Sequence, residues 1–285
     1  MTNRLFGVIA VVLSAVSFGA MAIFARWAYA DGADVVAVLF LRFLFGGLAM
    51  AAFMMITRRP WPRPAACLVL ALMGGIIYVC QSYSFFAALQ YATAGLVALL
   101  LYLYPFLVTV FGALIFKEPL GAKRLAAVML AFLGTALALW GGLSGSALGI
   151  AMGALSALLY SAYILIGSRV LKAEEPYGSA TLVMLSAAGS FGVLAWITGP
   201  AFPQSAAGWG AVAAIAVFST VVAMVGFFIG MRILGAADAA TLSTLEPVVT
   251  IVLAAIFLGE SLQPLQLVGA AVVLGAVVWL TRIRL

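Results

Sequence analysis

Glu246 is the side chain in this sequence that is best placed to do chemistry. It lies deep within an apolar run, residues 237–259, and directly precedes Pro247. An unpaired carboxylate in the middle of a bilayer costs roughly 2.5–3.5 kcal/mol, so such a group usually faces a cavity or a partner. Glu246 could bind the amino group of a ligand, carry a proton or make a structural hydrogen bond, and the sequence leaves these three roles open.

Arg42 is another charged residue within an apolar run, here residues 34–57. Its guanidinium could pair with an acidic group or hold a ligand carboxylate, and we favour a structural role for it. Glu118 and Glu260 precede two further apolar runs, where an acid suits the positive end of a helix dipole. We therefore interpret these two acids as structural polar residues as well.

Helical spacing places polar and aromatic side chains on common faces of several apolar runs. Pro105 and Pro247 each remove an intrahelical hydrogen bond, so they are predicted to kink or hinge their helices beside a substrate. The alternative for both is an ordinary membrane-helix kink. Aromatic walls with few charges suit a partly apolar, zwitterionic solute. The residues predicted to line this substrate cavity are Tyr78, Ser82, Tyr102, Tyr160, Tyr163, Thr220, Ser243, Thr244 and Glu246.

Catalytic and metal chemistry has little support in the composition. The chain has no His, eight Asp and Glu residues, and two Cys, Cys67 and Cys80, without metal-ligand spacing. A phosphate-binding loop of the Gly-x-x-x-x-Gly-Lys type is also absent from the sequence. We therefore predict no catalytic residue, no metal site and no cofactor, and a membrane-embedded enzyme is kept only as an alternative of a different class.

The elements that must position these residues are membrane-spanning helices. The chain has 285 residues, of which 67% are hydrophobic and only 8% are charged, whereas a soluble domain carries about 25% charged residues. Such an apolar chain needs the lipid bilayer as its solvent. The net charge of +6 comes from basic residues between apolar runs, which indicates topogenic signals rather than nucleic-acid binding.

Ten apolar runs are long enough to cross the bilayer as helices. With the N-terminus inside, 12 of the 14 Lys and Arg residues fall in inside segments, and the other two, Arg26 and Arg42, fall within helices. Cytoplasmic loops are enriched in these residues, so we predict ten spans with both termini cytoplasmic. The predicted spans are roughly residues 5–28, 34–57, 65–88, 92–116, 122–140, 147–169, 178–199, 208–232, 237–259 and 263–281.

The sequence contains an internal repeat, which is seen when the chain is aligned with itself so that Pro105 matches Pro247. We call this displacement along the sequence the repeat shift. Without any gap, the repeat shift also aligns Glu118 with Glu260 and Phe85-Phe86 with Phe227-Phe228. We predict two five-helix halves, residues 1–141 and 142–285. Because five is odd, the second half must be inverted, an arrangement that places a binding site between the halves near the midplane. A fused repeat supplies both halves, so a monomer is expected.

Several short motifs recur around the charged residues and prolines, namely Leu41-Arg42-Phe43-Leu44, Tyr104-Pro105, Lys117-Glu118-Pro119-Leu120, Leu245-Glu246-Pro247 and Leu258-Gly259-Glu260-Ser261-Leu262. These motifs resemble those of the drug/metabolite transporter superfamily, EamA type. Within the superfamily the chain is most similar to the YddG-type amino acid exporters. The resemblance implies an all-α membrane protein with ten helices in two inverted halves around a central cavity. It also implies a multi-pass protein of the inner (plasma) membrane that exports amino acids, aromatic or hydrophobic ones, or related small metabolites.

Three other functions are kept open. A multidrug or other metabolite exporter could have the same fold. A channel would need a charged ring or a carbonyl filter, and neither is evident in the sequence. An embedded enzyme is the third. The partners predicted from sequence are a small-molecule substrate and the lipid bilayer, with no nucleic acid.

Overall fold

The regular structure of the chain is helical throughout the part that the structure describes, apart from an isolated bridge between Ala92 and Gly145. The structure is a computed structural model, and it describes residues 2–88, 91–92, 94–117, 121–138, 140, 145–258 and 263–283. Glu118 and Glu260 lie outside these residues, so their predicted structural role stays a prediction. The α-helices are α1 (Thr2–Gly19), α2 (Met21–Ala30), α3 (Val35–Ile56), α4 (Pro64–Leu72), α5 (Val79–Ala88), α6 (Ala94–Leu101), α7 (Tyr104–Phe116), α8 (Ala122–Ala138), α9 (Ala147–Val170), α10 (Pro176–Thr198), α11 (Ala206–Ala216), α12 (Ala223–Leu234), α13 (Ala236–Leu242), α14 (Leu245–Leu258) and α15 (Pro264–Ile283). Two π-helical segments, π1 (Met73–Tyr78) and π2 (Val217–Val222), connect α4 to α5 and α11 to α12.

Eight helical stretches in the described residues are long and apolar enough to cross a membrane. Two further apolar helices, Leu125–Leu137 and Pro264–Trp279, are shorter. Each of these stretches overlaps a different predicted span, while the count of ten and the cytoplasmic termini remain predictions. The eight are Asn3–Ala30, Val35–Ile56, Pro64–Phe85, Leu99–Phe116, Ala147–Val170, Pro176–Thr198, Ala206–Leu234 and Ala236–Phe257.

Large apolar side chains cover much of the outer surface of the bundle. Trp196 is 87% exposed, Ile56 81% and Leu114 72%. In water such a surface would be an aggregation hazard, because soluble proteins rarely expose apolar patches of this extent. Facing lipid tails it costs nothing, which agrees with the bilayer predicted from composition.

The main helix pairs join the first predicted half of the chain to the second. Helix α1 packs on α12, α5 on α9, α3 on α10, and α8 on α15. The repeat shift exchanges the first two pairs with each other and maps the last two onto themselves. The packing therefore follows the repeat in the sequence, as two halves related by an approximate two-fold axis would require.

Small residues allow these helices to approach closely. A Cβ atom added at Gly226 of α12 would lie 2.7 Å from the carbonyl oxygen of Ala10 on α1. On α9, a Cβ added at Gly153 would lie 2.8 Å from the side chain of Leu100 on α6. Close backbone approach strengthens the dispersion contacts that hold membrane helices together.

Two loop clusters tie the bundle at opposite ends of α3 and α10. At one end, Asp34 accepts a hydrogen bond from the Ala201 amide at 2.9 Å, and Asp31 accepts one from the Ser205 amide at 2.8 Å. We call this contact the Asp31 latch.

At the other end, Glu174 accepts a hydrogen bond from the Arg63 amide at 3.2 Å, and Glu175 forms an ion pair with Arg59. We call this second contact the Glu174 latch. Arg63 and Ser205 directly precede α4 and α11, and the repeat shift aligns these two residues with each other. Each latch therefore supplies a carboxylate to the amide that precedes an equivalent helix.

Candidate functional site

Two helices are broken at matching positions in the interior of the bundle. Helix α6 ends at Leu101 and α7 begins at Tyr104, whereas α13 ends at Leu242 and α14 begins at Leu245. Pro105 is the second residue of α7 and Pro247 the third of α14. Proline is tolerated in a first turn because its missing N–H would have no intrahelical partner there. The structure thus places a break just before each predicted kink, and the hinge role of the prolines remains a prediction.

The π segments also occupy closely corresponding positions in the two halves. Thr220 of π2 donates from its hydroxyl to the carbonyl of Ile215, five residues earlier, at 3.0 Å. Tyr78 is the last residue of π1. Because π-bulges insert an extra residue into a helical turn, both segments change the register of the side chains that follow, and such bulges are frequent at functional sites.

Five tyrosines form one contiguous cluster between the broken helices and α9, which we call the tyrosine cluster. The ring centroids of Tyr104 and Tyr160 lie 4.7 Å apart, and those of Tyr78 and Tyr163 lie 5.0 Å apart. Tyr160 joins the two pairs through Tyr163 at 6.0 Å, and Tyr102 extends the cluster from Tyr104 at 6.3 Å. These separations are in the range of favourable aromatic pairs. The structure therefore brings together four tyrosines that sequence spacing had assigned to the cavity.

Glu246 lies in the first turn of α14, directly beside this cluster. Its carboxylate is within electrostatic range of Tyr102, Tyr104 and Tyr160 and of Arg42. The residue is only partly covered, although it lies in the interior of the bundle. The positive end of the α14 dipole favours a negative charge at this position. Glu246 and Tyr160 are thus the partly covered polar groups here, whereas the other four tyrosines of the cluster are buried.

Arg42 approaches the same region from α3 and is only 3% exposed. Its Nε donates to the Thr220 hydroxyl at 3.1 Å, and its Nη1 lies 2.9 Å from the Met21 sulfur. The guanidinium carbon lies 4.6 Å from the centroid of the Phe43 ring. The fully buried Thr220 therefore holds Arg42 in this structure. The predicted place of Thr220 in the substrate cavity and the structural role favoured for Arg42 both remain predictions.

The other predicted cavity hydroxyls are buried and already hydrogen-bonded. Ser243 donates to the Ala239 carbonyl at 3.0 Å and Thr244 to the Thr241 carbonyl at 2.7 Å. Both bonds stay within the broken helix α13–α14 and satisfy carbonyls at the break. Their contribution to a cavity stays a prediction.

Gln81 is a buried polar residue that sequence reasoning missed. Its Nε2 donates to the Ser156 hydroxyl at 3.0 Å, and Ser82 donates to its Oε1 at 3.3 Å. An amide within an apolar run, three residues after Tyr78 and next to Ser82, was the signal that could have identified it. Tyr104 was also left out of the predicted cavity, although it lies at the centre of the tyrosine cluster.

Comparisons with known proteins agree with this architecture. The chain is 29% identical to an uncharacterized transporter of Archaeoglobus fulgidus over 95% of both chains. It is 30% identical to the uncharacterized transporter YcbK of Bacillus subtilis, over 92% of this chain and 88% of that protein. A protein of known crystal structure superposes with a TM-score of 0.83 at 20% identity, over 99% of this chain and 97% of that one, which shows a shared fold. The model of the EamA-like transporter family matches twice, over residues 5–140 and 147–282, so the chain belongs to this family.

Proposed function

We propose that this transporter exports small metabolites, with amino acids that carry hydrophobic or aromatic side chains as its substrates. The observation that carries the proposal is the position of Glu246 at a helix break, partly covered and beside the tyrosine cluster. A carboxylate can bind an ammonium group, while tyrosine rings bind an apolar side chain at little entropic cost. Few other charges lie nearby, which suits a solute of no net charge.

Alternating access between two inverted halves is the proposed mechanism. The helix pairs α1 with α12 and α5 with α9 exchange under the repeat, so a conformation open to one side has a nearly equivalent counterpart open to the other. The broken helices provide the points at which each half can bend. We propose that the halves are residues 1–141 and 142–285, with ten spans and cytoplasmic termini, in a monomer of the inner membrane.

The second candidate is a multidrug or other metabolite exporter of the same fold. The tyrosine cluster supports it, because aromatic walls also bind apolar drugs and cations. The two candidates differ in what Glu246 and Arg42 do, since an amphipathic drug needs no group to bind a carboxylate. An enzyme has less support: the family and the relatives are transporters, and the described residues contain no group of three His, Cys, Asp or Glu that could hold a metal.

Transport by the purified chain in liposomes tests the proposal. We expect saturable counterflow of radiolabelled phenylalanine or leucine that is absent from empty liposomes. Glu246→Gln should reduce this flux strongly, whereas Glu175→Gln, at the loop far from the cluster, should leave it within about twofold of wild type. Flux of drugs with no flux of any amino acid would reject the amino acid assignment and favour the second candidate. A pH gradient that accelerates wild-type flux but leaves the residual flux of Glu246→Gln unchanged would assign proton transfer to this residue.

A further inference from the structure

Arg42 and Glu246 are opposite charges in the core that do not pair with each other. Both are among the described residues, and no ion pair joins them. Their charges are nevertheless within electrostatic range of each other. Two charges in the interior that are held apart lose much of the attraction that would offset their desolvation. A group that contacts both charges would therefore be bound favourably.

One hydrogen-bonding nitrogen of Arg42 is left open in this arrangement. Nε is held by the Thr220 hydroxyl and Nη1 lies against the Met21 sulfur. The buried Nη2 has no hydrogen-bond partner of good geometry, although the Tyr78 side chain lies within reach of the guanidinium. A buried guanidinium N–H without a partner is costly, so its persistence points to a ligand acceptor. The planar guanidinium is suited to bind a carboxylate.

The Glu246 carboxylate also has hydrogen-bond acceptor sites that a ligand could use. Among the described residues, Tyr102 lies within hydrogen-bonding reach of this carboxylate and is its side-chain partner. Glu246 is also partly covered rather than buried. Because an ionised carboxylate has about four acceptor sites, Glu246 can accept hydrogen bonds from an ammonium group beside the one from Tyr102. Arg42 and Glu246 come from opposite halves of the chain, so one ligand that binds both also bridges the halves.

This pair of charges breaks the symmetry of the repeat. The repeat shift aligns Arg42 with Met184, and it aligns Tyr104 with Glu246. Neither counterpart is charged, so these two positions supply one cation and one anion in place of two equivalent sites. A symmetric solute would gain nothing from this arrangement. A ligand with a negative group at one end and a positive group near it would match both.

We propose that Arg42 and Glu246 form a two-point site for zwitterions, in which Arg42 binds the carboxylate and Glu246 the ammonium group of a free α-amino acid. This inference rests on the proposed function and names its substrate class. The apolar side chain then lies against the tyrosine cluster. An amine leaves Arg42 without a partner, and a carboxylic acid leaves Glu246 without one, so both analogues bind more weakly. Net charge in the core is unchanged when the zwitterion binds.

Competition against wild-type phenylalanine counterflow tests this site without any variant. The competitors are unlabelled phenylalanine, phenethylamine, which lacks the carboxylate, and 3-phenylpropionate, which lacks the ammonium group. We expect both analogues to compete at least about tenfold more weakly, because each lacks one of the two charge-assisted hydrogen-bonding groups. Equal competition by all three would overturn the zwitterion site and leave the amino acid transporter standing. No phenylalanine or leucine flux would reject the proposed function itself, and the site with it.

Two variants then assign the ends of the ligand. Arg42→Met should lose discrimination against phenethylamine while it retains discrimination against 3-phenylpropionate, and Glu246→Gln should show the opposite pattern. Arg26→Gln, at an exposed position in the middle of α2, is the charge-matched control and should discriminate as wild type does. If both variants lost the two kinds of discrimination equally, the assignment would be wrong. Binding of the three compounds, measured by the thermal shift of each purified variant, separates loss of recognition from loss of folding.

Discussion

Ser14 and Ser156 make the same hydrogen bond in the two halves of the protein. Ser14 donates to the Ala223 carbonyl at 2.6 Å, and Ser156, its counterpart under the repeat shift, donates to the Gln81 carbonyl at 3.3 Å. The repeat shift also aligns the two acceptors, Gln81 and Ala223, with each other. The donor of each half therefore bonds to the other half, so the two bonds exchange under the repeat.

Removal of either hydroxyl should destabilise the interface between the halves, and more so at Ser156, whose hydroxyl also accepts from the Gln81 amide at 3.0 Å. Interhelical hydrogen bonds in membranes contribute about 0.6 kcal/mol on average, up to about 1.7 kcal/mol, so we expect losses in this range for Ser14→Ala and for Ser156→Ala. The free energy of unfolding in detergent measures both. Ser168→Ala, whose hydroxyl bonds within its own helix to Leu165, is the control. A loss confined to only one of the two serines would contradict their equivalence.

The loops at the two ends of the bundle allow the proposed topology to be tested directly. Gln204 lies in the loop of the Asp31 latch, and Lys172 lies in the loop of the Glu174 latch. In a chain with Cys67 and Cys80 replaced by Ala, we expect an impermeant maleimide to label Gln204→Cys in intact cells. Lys172→Cys should react only after permeabilisation. The reverse labelling pattern would place the termini outside the cell. The distribution of Lys and Arg would then have predicted the wrong orientation of this protein in the membrane.

The Asp31 latch should weaken in acid. Hydrogen bonds from the Ser205 side chain and backbone, and from the Gln204 amide, hold the pKa of Asp31 below its ordinary value. A carboxylate with a lowered pKa contributes stability that is present above its unfolded pKa and is lost as the pH falls through the folded value. The melting temperature of the wild type should therefore exceed that of Asp31→Asn at pH 6, and the difference should shrink toward pH 3. A constant difference would mean that the charge of Asp31 is irrelevant to the latch.

Pro247 should set the rate of transport more than the affinity. An alanine at this position regains an N–H that can donate to the Ser243 carbonyl, which now accepts from the Glu246 amide at 3.0 Å. The helix would then run more continuously through the break, so bending becomes costlier. We expect Pro247→Ala to lower the initial rate of counterflow several-fold with little change in half-saturation. Pro264→Ala, at the start of α15, is the matched control and should transport at the wild-type rate.

The sequence predicts features that depend on residues close together in the chain, but it does not predict contacts between elements that are distant in the chain. The helices followed from apolar length, because a chain in lipid must satisfy its backbone within each span. The grouping of Tyr160 with Tyr163 followed from helical spacing along one element. The contact between Arg42 and Thr220 did not, because it depends on how α3 packs on π2, and no local pattern encodes that packing.

The π segments show a second limit of sequence reasoning. They shift the register of the residues after Tyr78 and Thr220, but only a helix packed against its neighbours shows where an extra residue is accommodated. In the structure, Gly74 lies in π1 against the backbone of Val183, with which an added Cβ would collide. A glycine pair such as Gly74-Gly75 is too common in apolar runs to predict a π segment from the sequence.

Tyr160 should determine the preference for aromatic over aliphatic substrates. It is the partly covered member of the tyrosine cluster and lies 4.7 Å from Tyr104 and 6.0 Å from Tyr163, so its ring can contact a bound side chain. Aromatic pairs contribute roughly 0.5–1.5 kcal/mol beyond burial, so Tyr160→Ala should weaken competition by phenylalanine about two- to tenfold more than competition by leucine. Tyr160→Phe keeps the ring and should retain the preference, and Tyr177→Ala, which lies under Arg59 at the Glu174 latch, should not affect it. An equal loss for both amino acids in Tyr160→Ala would show that the ring supports the cluster without contacting the substrate, because a purely structural defect has no means to distinguish their side chains.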